Sequence, residues 1–118
     1  MEIQGIYATL ATARMDRAEK FYTELFAREP DDRPMDGLIQ WRGIAGANIQ
    51  IFQDRDNAGS GRLTVVVPRM DDARRSLEET GVKLTGESEG DYGRIAQFAD
   101  PDGNRITLAE PPSSPFKT

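Results

Sequence analysis

The pattern of apolar and polar positions repeats once along the chain. Residues 7–26 and residues 62–80 each contain an apolar-rich stretch, the tripeptide Arg-Met-Asp, and then a segment whose apolar residues fall three and four positions apart. The two tripeptides begin at Arg14 and Arg69, which are 55 residues apart in a chain of 118. A repeat of this length indicates two copies of one supersecondary unit, related by a pseudo-twofold axis.

Each copy is predicted to be a βαβββ module. Alternating apolar residues indicate strands, and the three-and-four spacing indicates helices. The turn Asp100-Pro101-Asp102-Gly103 closes the last hairpin, since proline presets φ and glycine accepts a positive φ. A short edge strand is expected around residues 29–34, where prolines end the first helix. The predicted strands are 3–12, 38–42, 48–53, 62–67, 82–85, 94–99 and 104–110, and the predicted helices are 15–26 and 70–80.

The sequence therefore predicts a single domain of the α+β class. In each module four strands curl around one side and the helix covers the other, and two modules placed edge to edge make an incompletely closed eight-stranded sheet around a cleft. Continuous valines at 65–67 favour burial on both faces of one strand. The modules are expected at 1–54 and 62–111, with a linker at 55–61 and a frayed tail at 112–118.

The composition removes several classes of function. The chain contains no cysteine and no histidine, so it has no thiolate and lacks the commonest general base and transition-metal ligand. A net charge of −5 argues against binding to nucleic acid, which needs a basic surface. No apolar run approaches the roughly 20 residues that span a membrane. The first residues do not resemble a secretion signal, so the sequence predicts a cytoplasmic protein.

Three features together resemble the vicinal oxygen chelate superfamily. They are the Phe21-Tyr22 pair late in the first helix, the repeated strand-Arg-Met-Asp-helix unit, and the stretch FADPDGNRITLAEP at residues 98–111. The superfamily includes glyoxalase I, extradiol dioxygenases, fosfomycin-resistance enzymes and bleomycin-resistance proteins. The resemblance covers nearly the whole chain and implies paired βαβββ modules around a cleft. In metal-dependent members, a His or Gln near the start of each module's first strand and a Glu in its last strand hold the ion.

None of the four corresponding positions carries a suitable metal ligand. The first-strand positions fall on Tyr7 and Arg62, and the last-strand positions on Gln50 and Thr107. A phenol has a pKa near 10, and a guanidinium has no lone pair to donate. Two neutral oxygens beside a guanidinium will not hold a divalent cation against water. This departure from the metal-binding pattern predicts a superfamily member without a metal and without a cofactor.

Strand alternation assigns the remaining side chains to two faces. If these four positions face the cleft, an almost wholly apolar set faces the helices: Ile49, Ile51, Leu63, Val65, Val67, Ile106 and Leu108. The sequence leaves open which of Gln40 and Trp41, and which of Gln97 and Phe98, faces the cleft. The residues predicted to bind a ligand are Tyr7, Thr9, Trp41, Asn48, Gln50, Phe52, Arg62, Thr64, Arg105 and Thr107.

Several of these residues have two readings. Arg62 and Arg105 are either solvated charges at a strand edge or a bidentate site for a carboxylate or phosphate. Tyr7 is either a packed aromatic or an acid catalyst, and Trp41 is either core or a stacking platform. The aspartates of the Asp-Pro-Asp-Gly turn are interpreted as turn formers rather than catalytic groups.

The leading hypothesis for the function is a metal-free protein of bleomycin-resistance type that binds a small molecule in the groove between its modules. One alternative is a glyoxalase-like, lyase or dioxygenase-type enzyme with a non-standard acid–base pair, for instance a carboxylic acid and Tyr7. Another is a regulatory or interaction domain whose pocket is filled by its own side chains. Open sheet edges also predict a homodimer.

Overall fold

A computed structural model describes residues 1–112 of the chain. The order of elements is a βαβββ succession that occurs twice, as the sequence predicts. The first succession comprises β1 (Ala8–Thr12), α1 (Met15–Phe26), β2 (Asp32–Met35), β3 (Leu38–Ile44) and β4 (Ala47–Gln53). The second comprises β5 (Arg62–Val66), α2 (Met70–Glu79), β6 (Thr85–Gly90), β7 (Gly93–Ala99) and β8 (Arg105–Glu110), after a short 3-10 turn at Arg55–Asn57.

The eight strands form two four-stranded mixed sheets, ordered β1-β4-β3-β2 and β5-β8-β7-β6. In each sheet the first and last strands of the succession pair in parallel, and the other neighbours pair antiparallel. The predicted α+β class is therefore confirmed. The chain divides into two units, of which the first contains residues 1–61 together with 100–104. The second contains residues 62–99 and the described residues from 105 onward.

The core of the first unit lies between α1 and one face of its sheet. Ala18 and Tyr22 of α1 are fully buried, and Trp41 of β3 is fully buried beneath them. The Trp41 ring lies 5.3 Å from the Phe26 ring, edge to face, and its Nε1 donates a hydrogen bond to the Arg28 carbonyl oxygen at 2.9 Å. The sheet contributes Leu10, Ile39, Ile49 and Ile51 to this core.

The second unit repeats this arrangement with its own helix. Met70 and Leu77 of α2 are buried, as are Ala96, Phe98, Ile106 and Leu108 of the sheet. The Glu110 carboxylate accepts a hydrogen bond from the Met70 backbone N–H at 2.5 Å. The N–H groups in the first turn of a helix have no acceptor within the helix, and the Glu110 carboxylate supplies one for α2.

Three expectations about the strands are wrong. The strand predicted at 82–85 lies at Thr85–Gly90. Val82 does not belong to a strand, because its N–H donates a hydrogen bond to the Leu77 carbonyl oxygen at the end of α2. β6 is exposed throughout, so its sequence shows no apolar alternation. β1 begins at Ala8 rather than residue 3, where its pairing with β4 begins. The residues of β5 alternate between exposed and half-buried, so the strand is not buried on both faces, and Val66 is 66% exposed.

The turn between β7 and β8 is embedded in the first unit through the side chain of Asp100, which is 5% exposed. One carboxylate oxygen accepts hydrogen bonds from the Tyr22 hydroxyl at 2.6 Å and from the Asn104 side-chain amide at 2.8 Å. The other accepts from the backbone N–H groups of Asp102 and Asn104, both at 2.9 Å. Four donors therefore compensate the cost of burying this carboxylate.

Asn104 extends the contact to the strand and the linker. Its fully buried side chain donates to the Ala11 carbonyl oxygen at 2.9 Å and accepts from the N–H groups of Gly59 and Gly61 at 3.1 and 2.8 Å. Gly59 has a φ of 93°, and a Cβ there would lie 2.5 Å from the Asp102 carbonyl oxygen. Only glycine therefore fits at this approach.

Asp102 forms a third contact of this turn. Its carboxylate accepts hydrogen bonds from the Thr12 hydroxyl at 2.5 Å, from the Ala13 N–H at 3.0 Å and from the Arg17 guanidinium at 3.1 Å. The turn residues are thus turn formers, as interpreted from the sequence. Their side chains also fix the end of β1 and the start of α1.

We expect Tyr22→Phe to lower the free energy of unfolding by about 1–3 kcal/mol, because one oxygen of the buried Asp100 carboxylate loses a donor. Urea denaturation measures this change. Tyr92→Phe is the matched control, since the Tyr92 hydroxyl bonds to the exposed Ser88 hydroxyl and the Tyr92 side chain is 55% exposed. The control should change stability by less than about 0.5 kcal/mol. Equal losses in the two variants would contradict this role of Asp100.

Stability should also decline at alkaline pH through Tyr22. Burial, followed by the hydrogen bond to Asp100, raises the pKa of the Tyr22 hydroxyl above its ordinary value of 10.0. The unfolded chain therefore loses this proton at lower pH than the folded chain, so the stabilisation is complete below about pH 10 and declines above it. We expect the stability difference between wild type and Tyr22→Phe to shrink by up to about 1.4 kcal/mol per pH unit above 10. Urea denaturation across this range measures it, and a constant difference would be contrary to the expectation.

Candidate functional site

A row of hydrogen-bonded polar side chains crosses the face of the first sheet that lies opposite α1. Gln40 of β3 stands opposite Gln50 of β4, and Thr9 of β1 pairs with Gln50 on the other side. The Gln40 amide donates to Gln50 Oε1 at 2.8 Å, and the Gln50 amide donates to the Thr9 hydroxyl oxygen at 2.8 Å. Within residues 1–112, no further hydrogen bond involves the Gln40 side-chain oxygen, the second N–H of each amide or the Thr9 hydroxyl proton, so these groups can serve a ligand.

Beside this row, at the start of β1, the face carries hydrogen-bonding and charged groups. The Asn48 amide donates to the Ile6 carbonyl oxygen at 3.0 Å, and its oxygen accepts from the Gly43 N–H at 3.1 Å. The Tyr7 hydroxyl, and after it the Asp32 carboxylate, raise the pKa of the Arg42 guanidinium above its usual value. This end of the face therefore presents a phenol beside a guanidinium that forms an ion pair with Asp32 at 3.4 Å.

The other end of the same face is apolar. Leu38 of β3 is opposite Phe52 of β4, and Ala11 of β1 pairs with Phe52 on the other side. Phe52 is 36% exposed, and Met35 of β2 pairs with Leu38 and is 58% exposed. The first unit thus presents a graded face, which runs from Tyr7 and Arg42, through the amide row, to the Phe52 ring.

The second unit carries a similarly graded face. Arg62 of β5 pairs with Arg105 of β8, and both side chains are exposed. Thr64 pairs with Thr107, whose hydroxyl accepts a hydrogen bond from the Gln97 amide at 3.3 Å. The face ends in apolar Ile95, Val66 and Ala109. The order from charge through hydroxyl and amide to apolar surface is therefore the same as in the first unit.

The sequence model of one family matches most of this chain. The family is described as a glyoxalase-like domain, and the match covers residues 7–109. The chain belongs to the glyoxalase-like domain family. The superfamily resemblance noted from the sequence, to the vicinal oxygen chelate proteins, is thereby confirmed. No curated protein is detectably similar in sequence.

Several solved structures superpose on the chain. A glyoxalase / bleomycin resistance protein from Catenulispora acidiphila DSM 44928 is 26% identical, with a TM-score of 0.79 over 92% of this chain and 98% of that one. TnmS3, an antibiotic binding protein from Streptomyces sp. CB03234, is 28% identical, with a TM-score of 0.78 over 94% and 98%. A glyoxalase/bleomycin resistance protein/dioxygenase superfamily member from Sphaerobacter thermophilus DSM 20745 is 22% identical, with a TM-score of 0.71 over 92% and 98%, and shares the fold.

The superfamily resemblance implies four positions at which metal-dependent members hold an ion, and the side chains at those positions here do not fit one. In the first unit, the Gln50 side-chain oxygen already accepts the Gln40 amide, and its partner position is the phenol of Tyr7. In the second unit, the positions carry a guanidinium at Arg62 and the hydroxyl of Thr107, which already accepts a hydrogen bond. Within residues 1–112, no group of three or more His, Cys, Asp or Glu side chains is arranged to hold a metal.

The structure groups the residues that the sequence proposed for binding. Thr9, Asn48, Gln50 and Phe52 share the graded face of the first unit, and the Tyr7 hydroxyl lies next to Arg42 at one end of it. Arg62, Thr64, Arg105 and Thr107 share the face of the second unit. Trp41 is the exception. It is fully buried against α1 on the opposite face of the sheet, so we do not retain it as a binding residue.

Sequence reasoning missed some residues of these faces and left two undecided. Gln40 and Gln97 were undecided, and their hydrogen bonds to Gln50 and Thr107 now place them on the polar faces. Arg42 was missed, although it lies two residues beyond Gln40 and alternation puts both on one face. The third residue of the Arg42–Tyr7 neighbourhood, Asp32, lies in a strand too short and polar to be placed from its sequence.

Proposed function

We propose that this glyoxalase-like protein binds a small organic molecule without a metal. The observation that carries the proposal is the graded face of the first unit, whose amide and hydroxyl groups keep unused hydrogen-bonding capacity between an apolar end and a charged end. Ligand sites combine apolar surface with a few well-placed polar groups in this way. The antibiotic-binding relative TnmS3, at 28% identity, supports the same kind of function here.

The dimensions of the face suit a ligand of a few rings. Three successive same-face residues along β4, from Asn48 through Gln50 to Phe52, span about 13 Å at the usual rise of a strand. A flat aromatic system can contact the Phe52 ring at one end and reach the amides of Gln40 and Gln50 with its polar substituents. The prediction that the ligand lies in a groove between the two modules stays a prediction, as does the cytoplasmic location. No helix among the described residues has the length and apolarity needed to cross a membrane.

The proposal is tested by screening soluble aromatic compounds of two to four fused rings by two-dimensional NMR with labelled protein. We expect hits that shift the backbone signals of β1, β3 and β4 and that persist in excess EDTA. Gln50→Leu should weaken a hit by about tenfold or more, because the variant removes a hydrogen-bonding amide from the centre of the face. Gln53→Leu, which lies on the same strand at an alternate position, is the matched control and should leave the affinity unchanged.

Two results would overturn the proposal. One is the absence of any hit among compounds of this class. The other is binding that is lost on removal of a metal by EDTA, since the side chains at Tyr7 and Gln50 are here argued to serve an organic ligand.

We further propose that the protein is a homodimer, as the sequence predicts from open sheet edges. β2 and β6 lie at the edges of their sheets, and every residue in both strands is exposed. Edge strands offer unpaired backbone groups to another chain, although Pro34 restricts this in β2. We expect light scattering to give about twice the chain mass of 13.1 kDa. A species of 13.1 kDa at all concentrations would show that the edges stay unpaired.

A further inference from the structure

The arginines of this chain divide into two groups. Of 12 arginines in the sequence, nine form an ion pair with a carboxylate within the described residues. The three without such a pair in residues 1–112 are Arg55, Arg62 and Arg105. Acidic residues outnumber basic ones by 20 to 15, so carboxylates are not scarce. Among the described residues, no carboxylate therefore lies within ion-pairing distance of Arg62 or Arg105, although carboxylates are plentiful elsewhere in the chain.

These two arginines are also neighbours. Arg62 and Arg105 are partners in the parallel pairing of β5 with β8, so their side chains leave the same face of the sheet next to one another. Like charges at such positions repel and lower stability. A second pair on the same two strands, Thr64 with Thr107, adds hydroxyl groups beside them. Two arginine side chains that leave neighbouring positions of one face, with no ion-paired carboxylate in residues 1–112, are suited to an anion that comes from outside.

We infer that Arg62 and Arg105 form an oxyanion-binding subsite on the face of the second unit, which holds the carboxylate or phosphate group of a small organic molecule bound to that face. This inference rests on the proposed function and names the class of molecule that the protein takes. Guanidinium groups match the geometry of both oxyanions through paired N–H donors.

The rest of the face indicates what the anionic group is attached to. From Arg62 and Arg105 the surface passes through the hydroxyls of Thr64 and Thr107 to the apolar side chains of Val66 and Ala109. Val66 is 66% exposed, which makes it available to an apolar ligand body. The ligand class is therefore an amphipathic organic acid, with its charged group at the start of β5 and its apolar part toward the end of that strand.

The test compares naphthalene-2-carboxylate with its neutral carboxamide, and phenyl phosphate with phenol, in NMR titrations of the full chain at low ionic strength. We expect each anion to bind about tenfold or more tightly than its neutral partner, because hydrogen bonds to charged groups are the stronger ones. Whichever anion shows the larger preference distinguishes a carboxylate ligand from a phosphate ligand. Raising the salt concentration should weaken the anions and not the neutral compounds.

Three variants locate the effect. Arg62→Gln and Arg105→Gln should each remove most of the preference for the anion while leaving the neutral compounds unchanged, and neither should lower the melting temperature, since each relieves a repulsion. Arg55→Gln is the matched control, because Arg55 also has no ion pair among the described residues but lies in the 3-10 turn after β4. It should leave all affinities unchanged.

The outcomes separate this inference from the function on which it rests. Equal binding of anions and neutral partners, or equal effects of Arg55→Gln and Arg62→Gln, would overturn the oxyanion subsite and leave small-molecule binding intact. Binding of none of the four compounds to the wild-type chain would overturn the subsite as well, and the screen of fused-ring compounds would then decide the proposed function by itself.

Discussion

The carboxylate of Asp100 accepts four hydrogen bonds inside the first unit, and the arrangement of the turn, α1 and β1 in that unit depends on them. Two of the donors are backbone N–H groups that shape the turn, and one is the side chain of Asn104. Asn104 in turn holds the Ala11 carbonyl oxygen at the end of β1. Thr9, a member of the polar row proposed to meet a ligand, lies on the same strand β1 as Ala11. The row is therefore connected, through β1 and Asn104, to the buried carboxylate of Asp100. Buried polar networks of this kind specify one arrangement only when every member has its partners.

Strand register is the second constraint, and it gives each sheet two different faces. A shift of one residue in β4 would exchange the partly exposed amide of Gln50 for the buried side chain of Ile51. Such a shift would expose the core and bury an amide, so the apolar face against α1 fixes the polar face on the other side. The function proposed for the polar face is therefore a consequence of packing on the opposite one. In the second unit, the buried Ile106 fixes the exposed position of Arg105 in the same way.

Much of this could be predicted from the sequence because the repeat and the alternation are local patterns. The helix at Met15–Phe26 has the bounds that its apolar spacing indicates, and the faces of Gln50 and Thr107 follow from alternation. β6 was misplaced because an exposed polar edge strand has no apolar signature. The choice between Gln40 and Trp41 needs knowledge of what covers each face, which alternation alone does not supply. The contacts of Asp100 join residues 78 apart in the chain, and no local pattern reports them.

The central claim is that the positions which hold a metal in relatives here serve an organic ligand. Anomalous diffraction from crystals grown with excess Mn²⁺ tests it most directly, because Mn²⁺ accepts the oxygen donors that Gln50 and Thr107 offer. The account predicts no anomalous peak within about 2.5 Å of either side-chain oxygen. A fully occupied peak bonded to Gln50 Oε1 or Thr107 Oγ1 would contradict it.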